Sequence, residues 1–362
     1  MKKIILTIGF VSFSCFFFAG ASKYPPLSGS QQQPSLKNSA KFPIGVAVDI
    51  PALINNEDYK NIVTNEFNSV TTENQLKWNR VSPAPGVFNF KGADAIVDFA
   101  AQHNMRVHGH VLIYFESLPQ WVQNFQGDSA AWEQLFKTHI QTIVRHYRGK
   151  VASWDVVNEV IDQNGNPAVN DGHRGGSVNV WLQHLGSDYV ARAFTYAHEA
   201  DPNAVLFYND NGHESYPKKL AAIIKMANDL KARGIPIGGL GVQMHMNINV
   251  TPANVKNALT QMARTGLQIH ISELDIRLNP NNLPDTLSPE ITKQGALYNC
   301  LASAYRTLIP KSQQYGITFW GVSDNNSWII NAMHQHDSPL LFNNKYGKKQ
   351  NYQLFMKGLS SN

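Results

Sequence analysis

The sequence predicts an α/β fold of one kind, a closed (β/α)8 TIM barrel. Three observations point there. From Phe42 onward, short apolar runs alternate eight times with amphipathic helical windows, the order that builds parallel strands covered by helices. The chain has 362 residues, 43% apolar and 10% aromatic, enough for one barrel of about 250 residues or more. Polar and aromatic side chains collect at the C-terminal ends of the runs and not within them, and that rim is where such barrels carry their chemistry.

In chain order, residues 1–21 read as a secretory signal peptide. Lys2 and Lys3 precede an apolar stretch, and Ala19-Gly20-Ala21 supplies a small-residue cleavage site. The stretch is short for a bilayer span of about 20 residues. Lipid attachment at Cys15 is the lesser alternative, because the most apolar residues, Phe16 to Phe18, follow it. The protein is therefore expected to be exported, to the periplasm, the cell surface or the medium. Residues 22–40 are rich in Ser, Gln and Pro without an apolar period and read as a flexible leader.

The barrel is expected over residues 41–358. Its strands are placed at 43–48, 67–72, 106–112, 152–158, 204–209, 238–244, 267–272 and 316–322. Helical windows such as 93–103, 132–147, 189–200 and 217–233 repeat apolar residues at three and four. Gly149 and Gly234 follow Arg148 and Arg233 as helix stops. Cys300 sits in an apolar stretch and is expected inside a helix.

Composition narrows the functional classes. Only 16% of residues are charged, which excludes disorder and a nucleic-acid-binding surface. The formal charge of +5 loses two lysines on cleavage after Ala21, leaving +3 as a solvated lysine excess. A single cysteine then remains, so no internal disulfide can form. A monomer is expected, with no membrane contact apart from export.

Two glutamates close strand-like runs: Glu159 ends S-W-D-V-V-N-E and Glu273 ends L-Q-I-H-I-S-E. An ionisable group at a buried strand tip is costly without a task. Two carboxylates on one rim are what hydrolysis of a glycosidic bond requires, one as acid and one as nucleophile or base. Other strand ends offer Glu73 and Asn74, His108 and His110, Tyr208-Asn209-Asp210, Gln243-Met244-His245, Asp275, and Trp320 through Asp324. His108-x-His110 has the spacing of a zinc pair, but no third ligand of matching spacing follows, so no metal and no organic cofactor is expected. His334-x-His336 reads as a solvated loop, and Trp78 and Trp121 as core or site edge.

Seven segments in register, among them F-P-I-G-V-A-V (42–48), T-T-E-N-Q-L-K-W (71–78), W-D-V-V-N-E (154–159), G-V-Q-M-H (241–245), I-S-E-L-D-I (271–276) and I-T-F-W-G-V-S-D-N-N-S-W (317–328), resemble glycoside hydrolase family 10, the retaining endo-β-1,4-xylanases. The resemblance implies Glu159 as acid/base and Glu273 as nucleophile, supported by Asn158, His245 and Asp275. It implies sugar contacts from Glu73, Asn74, Lys77, His110, Gln243, Trp320 and Trp328, and a xylan or related β-linked polysaccharide as partner. The pattern departs at Tyr114, Phe115, Glu116 and Ser117, where the family reads Trp, His, Ser and Gln, and at Asn211, where it has an aromatic residue. These departures suggest room near Ser117 for a decorated xylan or another β-glycan, and weaker stacking at Asn211. A non-catalytic glycan-binding barrel and a metal-dependent hydrolase using His108 and His110 are the alternatives.

Overall fold

The computed structural model describes residues 34–170, 176–283 and 288–360. The expected signal peptide, Cys15 and most of the expected leader lie outside them. Among the described residues nine parallel strands form, in chain order: β1 Ile44–Val48, β2 Ser69–Thr72, β3 Arg106–Gly109, β4 Ser153–Asn158, β5 Val205–Asp210, β6 Gly239–Val242, β7 His245–Asn247, β8 Gln268–Arg277 and β9 Gln314–Phe319. Each neighbour pairs with the next from β6 back to β1, then β1 with β9 and β9 with β8. β6 pairs directly with β8, which closes an eight-stranded barrel. All eight sequence-predicted runs are its strands.

β7 takes no part in closure. It pairs with the far end of β8, His245 opposite Asp275 and Asn247 opposite Arg277. β8 therefore runs ten residues, and Glu273 lies within it and not at its tip, beside an irregularity against β9 between Ile271 and Leu274.

β1, β2 and β4 are buried throughout; β1 is apolar or small along its length, whereas β4 carries Asp155 and Asn158. Gly109 is required where β3 meets β4. A Cβ there would stand 2.3 Å from the ring of its register partner Trp154. The helices behave as their patterns predict. Asp128 caps Ser129–His146 by accepting from Ala131 N, and that helix buries Trp132, Phe136, Ile140 and Ile143. Gly149 and Gly234 take φ of +75° and +69°, the left-handed stop that favours glycine.

The packed body starts earlier than residue 41. Leu36–Ser39 forms a short helix whose Leu36 is fully buried and donates its N–H to Glu66 Oε2 at 2.9 Å. Four residues are too few to show a period, so they read as leader in the sequence. Cys300 lies in helix Ser288–Leu308 but is half-buried. His334 and His336 are exposed, and Trp78 belongs to the core, stacked on His139.

Candidate active site

The strand ends bring the two glutamates into one hydrogen-bonded system. Glu159 follows β4 directly and turns with φ of +56°, a left-handed conformation that costs a non-glycine residue about 1 kcal/mol or more. Its Oε1 accepts from Asn158 Nδ2 at 3.1 Å and Gln243 Nε2 at 2.8 Å, and its Oε2 from the Tyr114 hydroxyl at 3.2 Å. Glu273 Oε1 accepts from Asn209 Nδ2 at 2.6 Å, and Oε2 faces His245 Nε2 at 3.1 Å. Asn209 Nδ2 also reaches Asn158 Oδ1 at 2.8 Å, and Gln243 Nε2 reaches the same oxygen at 3.2 Å. The carboxyl groups are thus joined through three amides that fix both in place.

Their electrostatic surroundings differ. His245 Nδ1 contacts Asp275 Oδ2 at 2.8 Å, an oxygen that also accepts from Trp328 Nε1 at 2.9 Å. Burial would lower the pKa of His245, but Asp275 and Glu273 together hold it up at about 10. Burial likewise disfavours charge on Glu273. The His245 hydrogen bond and the pull of His110 and His245 outweigh it and leave the carboxyl below its ordinary value. Glu273 is held as an anion beside an imidazolium, whereas Glu159 meets two neutral amides and a phenol.

Under this layer, Asp155 Oδ2 contacts His110 Nδ1 at 2.8 Å and lies 3.0 Å from His108 Nε2. Burial opposes the Asp155 charge, but His108 and His110 prevail and hold its carboxyl far below the usual range. The alternate histidines share a carboxylate. His110, Asp155 and Glu273 do present donor atoms within 4.8 Å of one another, and the hydrogen bond between His110 and Asp155 engages two of the three.

A cleft of about 500 Å³ opens over Glu273, while Glu159 is half-buried and is not among the residues that line it. Of the residues expected to touch sugar or to act on it, Glu73, Asn74, Lys77, His110, His245, Glu273, Trp320 and Trp328 line it. Asn158, Gln243 and Asp275 are buried behind it. Lys77 Nζ donates to Asn74 Oδ1 at 2.9 Å, and Asn74 Nδ2 to Glu73 Oε1 at 3.2 Å. Burial pushes Glu73 up to about 7, against the opposing charge of Lys77.

The profile of Glycosyl hydrolase family 10 matches residues 35–358. The chain belongs to glycoside hydrolase family 10. It is 38% identical over 323 residues to Endo-1,4-beta-xylanase A of Thermoanaerobacterium saccharolyticum, covering 85% of this chain and 26% of that one. It is 34% identical to Beta-1,4-xylanase of Dictyoglomus thermophilum, covering 98% and 97% respectively. The chain therefore spans about a quarter of the first relative's length and nearly all of the second's. The crystal structure of xylanase 10B from Thermotoga petrophila RKU-1 in complex with xylobiose superposes with a TM-score of 0.82 at 31% identity, over 91% of this chain and 98% of that one.

Against the family 10 pattern, the departures do not all fall in the cleft. Tyr114 lines it, but Phe115 is buried and Ser117 turns inward, its hydroxyl on the Tyr114 carbonyl at 3.1 Å. Ser117 thus opens no room in the cleft wall described here. Asn211 accepts from Lys219 Nζ at 3.2 Å. Lys219 also pairs with buried Asp210 at 2.7 Å, and burial pushes Asp210 up to about 6 despite that cation.

Asn209 belongs to this hydrogen-bonded network, and sequence reasoning left it without a role. The available signal was its position: it is the penultimate residue of β5 and the register partner of Asn158. Asp49, the residue directly after β1, also lines the cleft, as do Asn326 and Asn331 from the short helices Asp324–Asn326 and Trp328–Asn331.

Proposed function

We propose that this protein is a retaining endo-β-1,4-xylanase that works outside the cytoplasm as a monomer. The observation that carries the reading is the pair of unlike carboxyl environments: Glu273 anionic beside His245, and Glu159 among neutral donors. A retaining mechanism needs that contrast. Glu159 protonates the glycosidic oxygen while Glu273 attacks the anomeric carbon, and Glu159 then takes a proton from the water that releases the sugar. The carboxyl groups supply both halves of the chemistry, so the reading assigns no metal or cofactor.

Glu73, Asn74 and Lys77 would hold sugar hydroxyls, and Trp320 and Trp328 would offer apolar faces. The relatives named as xylanases and the xylobiose-bound neighbour support xylan as the substrate. The signal-like first 21 residues support export. Among the described residues no helix is long and apolar enough to cross a membrane. A second reading, the same mechanism on another β-linked glycan, rests on Tyr114 in the cleft wall and Asn211 beside Lys219.

The test is product release from unsubstituted xylan, glucuronoxylan, arabinoxylan and β-1,4-glucan, with Glu273→Ala as control. Xylo-oligosaccharides appearing first as the β-anomer by proton NMR are expected. The α-anomer first would refute retention, and release from glucan alone would favour the second reading.

A further inference from the structure

Tyr114 stands where the family pattern carries Trp, and its hydroxyl can accept as well as donate at the carboxyl group it meets, which an indole N–H cannot. It meets Glu159 at Oε2, 3.2 Å away, while Oε1 already accepts two amide N–H groups. An oxygen occupied by two N–H donors is a poor seat for a proton, so the protonated acid carries its hydrogen on Oε2. A phenol can donate to that oxygen when it is ionised and rotate to accept when it is protonated, whereas an indole N–H can only donate. Tyr114 is buried to 9% exposure, and its ring lines the cleft, so solvent competes little for the hydroxyl.

We propose that Tyr114 is a positioning residue for the acid/base, its hydroxyl holding the oxygen of Glu159 that delivers and later recovers the proton. The inference rests on the reading of Glu159 given above. In the first step the proton passes from Glu159 Oε2 to the glycosidic oxygen. The bond from C1 to that oxygen breaks with its electron pair going to oxygen, and a Glu273 oxygen bonds to C1. In the second step water bonds to C1, the ester to Glu273 breaks, and the water proton returns to Oε2. Tyr114 keeps that oxygen aimed in both. Its effect is therefore greatest for leaving groups that need protonation, as sugars do.

The experiment compares kcat/KM of native protein and Tyr114→Phe on two aryl β-xylobiosides. One has a dinitrophenyl leaving group that departs without a proton, the other an unsubstituted phenyl that needs one. A hydrogen bond to an ionised group contributes enough for a change of about tenfold or more. The variant is expected to lose at least about tenfold more on the phenyl substrate than on the dinitrophenyl one. An equal loss on both, as a purely structural role would give, overturns the proposal. Tyr114→Trp serves as a second variant that keeps an aromatic wall, and it is expected to widen the same ratio; an unchanged ratio counts against the proposal. Glu159→Ala with azide and the dinitrophenyl substrate tests the underlying reading separately. Formation of β-xylobiosyl azide supports Glu159 as acid/base, and its absence overturns that assignment whatever Tyr114 does.

Discussion

Asp275→Asn would remove the charge that keeps His245 cationic beside Glu273. Asp275 Oδ2 contacts His245 Nδ1 at 2.8 Å, and His245 Nε2 faces Glu273 Oε2 at 3.1 Å. Burial alone would bring the imidazole below 6.5; the carboxylates raise it to about 10, with Asp275 the stronger of the two. One pH unit corresponds to about 1.36 kcal/mol, so the coupling that holds the cation is on the order of 5 kcal/mol, and Asp275 accounts for roughly half or more of it. Its loss should cost about 2–3 kcal/mol of transition-state stabilisation, or roughly a 30- to 160-fold fall in kcat/KM. The deficit depends on pH. A raised pKa means that the imidazolium contribution is fully present below the ordinary value and is lost as pH rises through about 10 in the native protein. In the variant it is lost near the ordinary value instead. The two proteins should therefore differ least below about pH 6 and most between about 7 and 9. The assay is kcat/KM against pH on the dinitrophenyl xylobioside, whose departure needs no acid, with nitrogen NMR of the His245 ring in parallel. A ratio independent of pH, or a native imidazole that titrates near 6.5, would refute the reasoning.

Three further outcomes are expected. Asn209→Ala removes the amide that joins Glu273 to Asn158, and kcat/KM should fall about ten- to hundredfold; native-like steady-state kinetics would show that the bridge is idle. Lys219→Met leaves buried Asp210 without its cation, and urea unfolding should show a loss of about 3–5 kcal/mol that Lys219→Met with Asp210→Asn largely restores; an equal loss in the double variant would point to packing instead. His139 is buried against Trp78 with ring centroids 3.3 Å apart, and burial lowers its pKa to about 3. As a base held neutral, it contributes stability above pH 6.5 that is lost as pH falls toward 3, by up to about 1.4 kcal/mol per pH unit, so His139→Phe should flatten the acid limb of Tm between pH 6 and 4, and an unaltered limb would exclude this histidine as its cause.

The barrel was legible because its signals are local. Each strand is a short apolar run between helical windows, and the rim chemistry follows each run within a few residues. That placed Glu159 and Glu273, together with Gln243, His245 and Trp320, before any coordinates. What escaped depends on pairing between distant segments. His245–Asn247 is three residues with no alternation, and it becomes a strand only because β8 overhangs the barrel to receive it. The same pairing extends β8 past Glu273, which sequence alone placed at a strand tip. Asn209 resembles its rim neighbours in composition and gains its role from the register of β5 against β4. Ser117 follows a family position that suggests the cleft, but the 3-10 turn at Phe115–Ser117 folds its hydroxyl back onto Tyr114.

The rim strand β7 has a consequence for how such an enzyme changes over generations. His245 and Asp275 face each other as ladder partners, so backbone pairing, which any sequence can maintain, sets their approach. The neighbouring loops are under no such rule, and Tyr114 and Asn211 show them accepting other residues while the ladder stays intact. Loop residues can then be traded without disturbing the contact that holds His245 against Asp275 and next to Glu273.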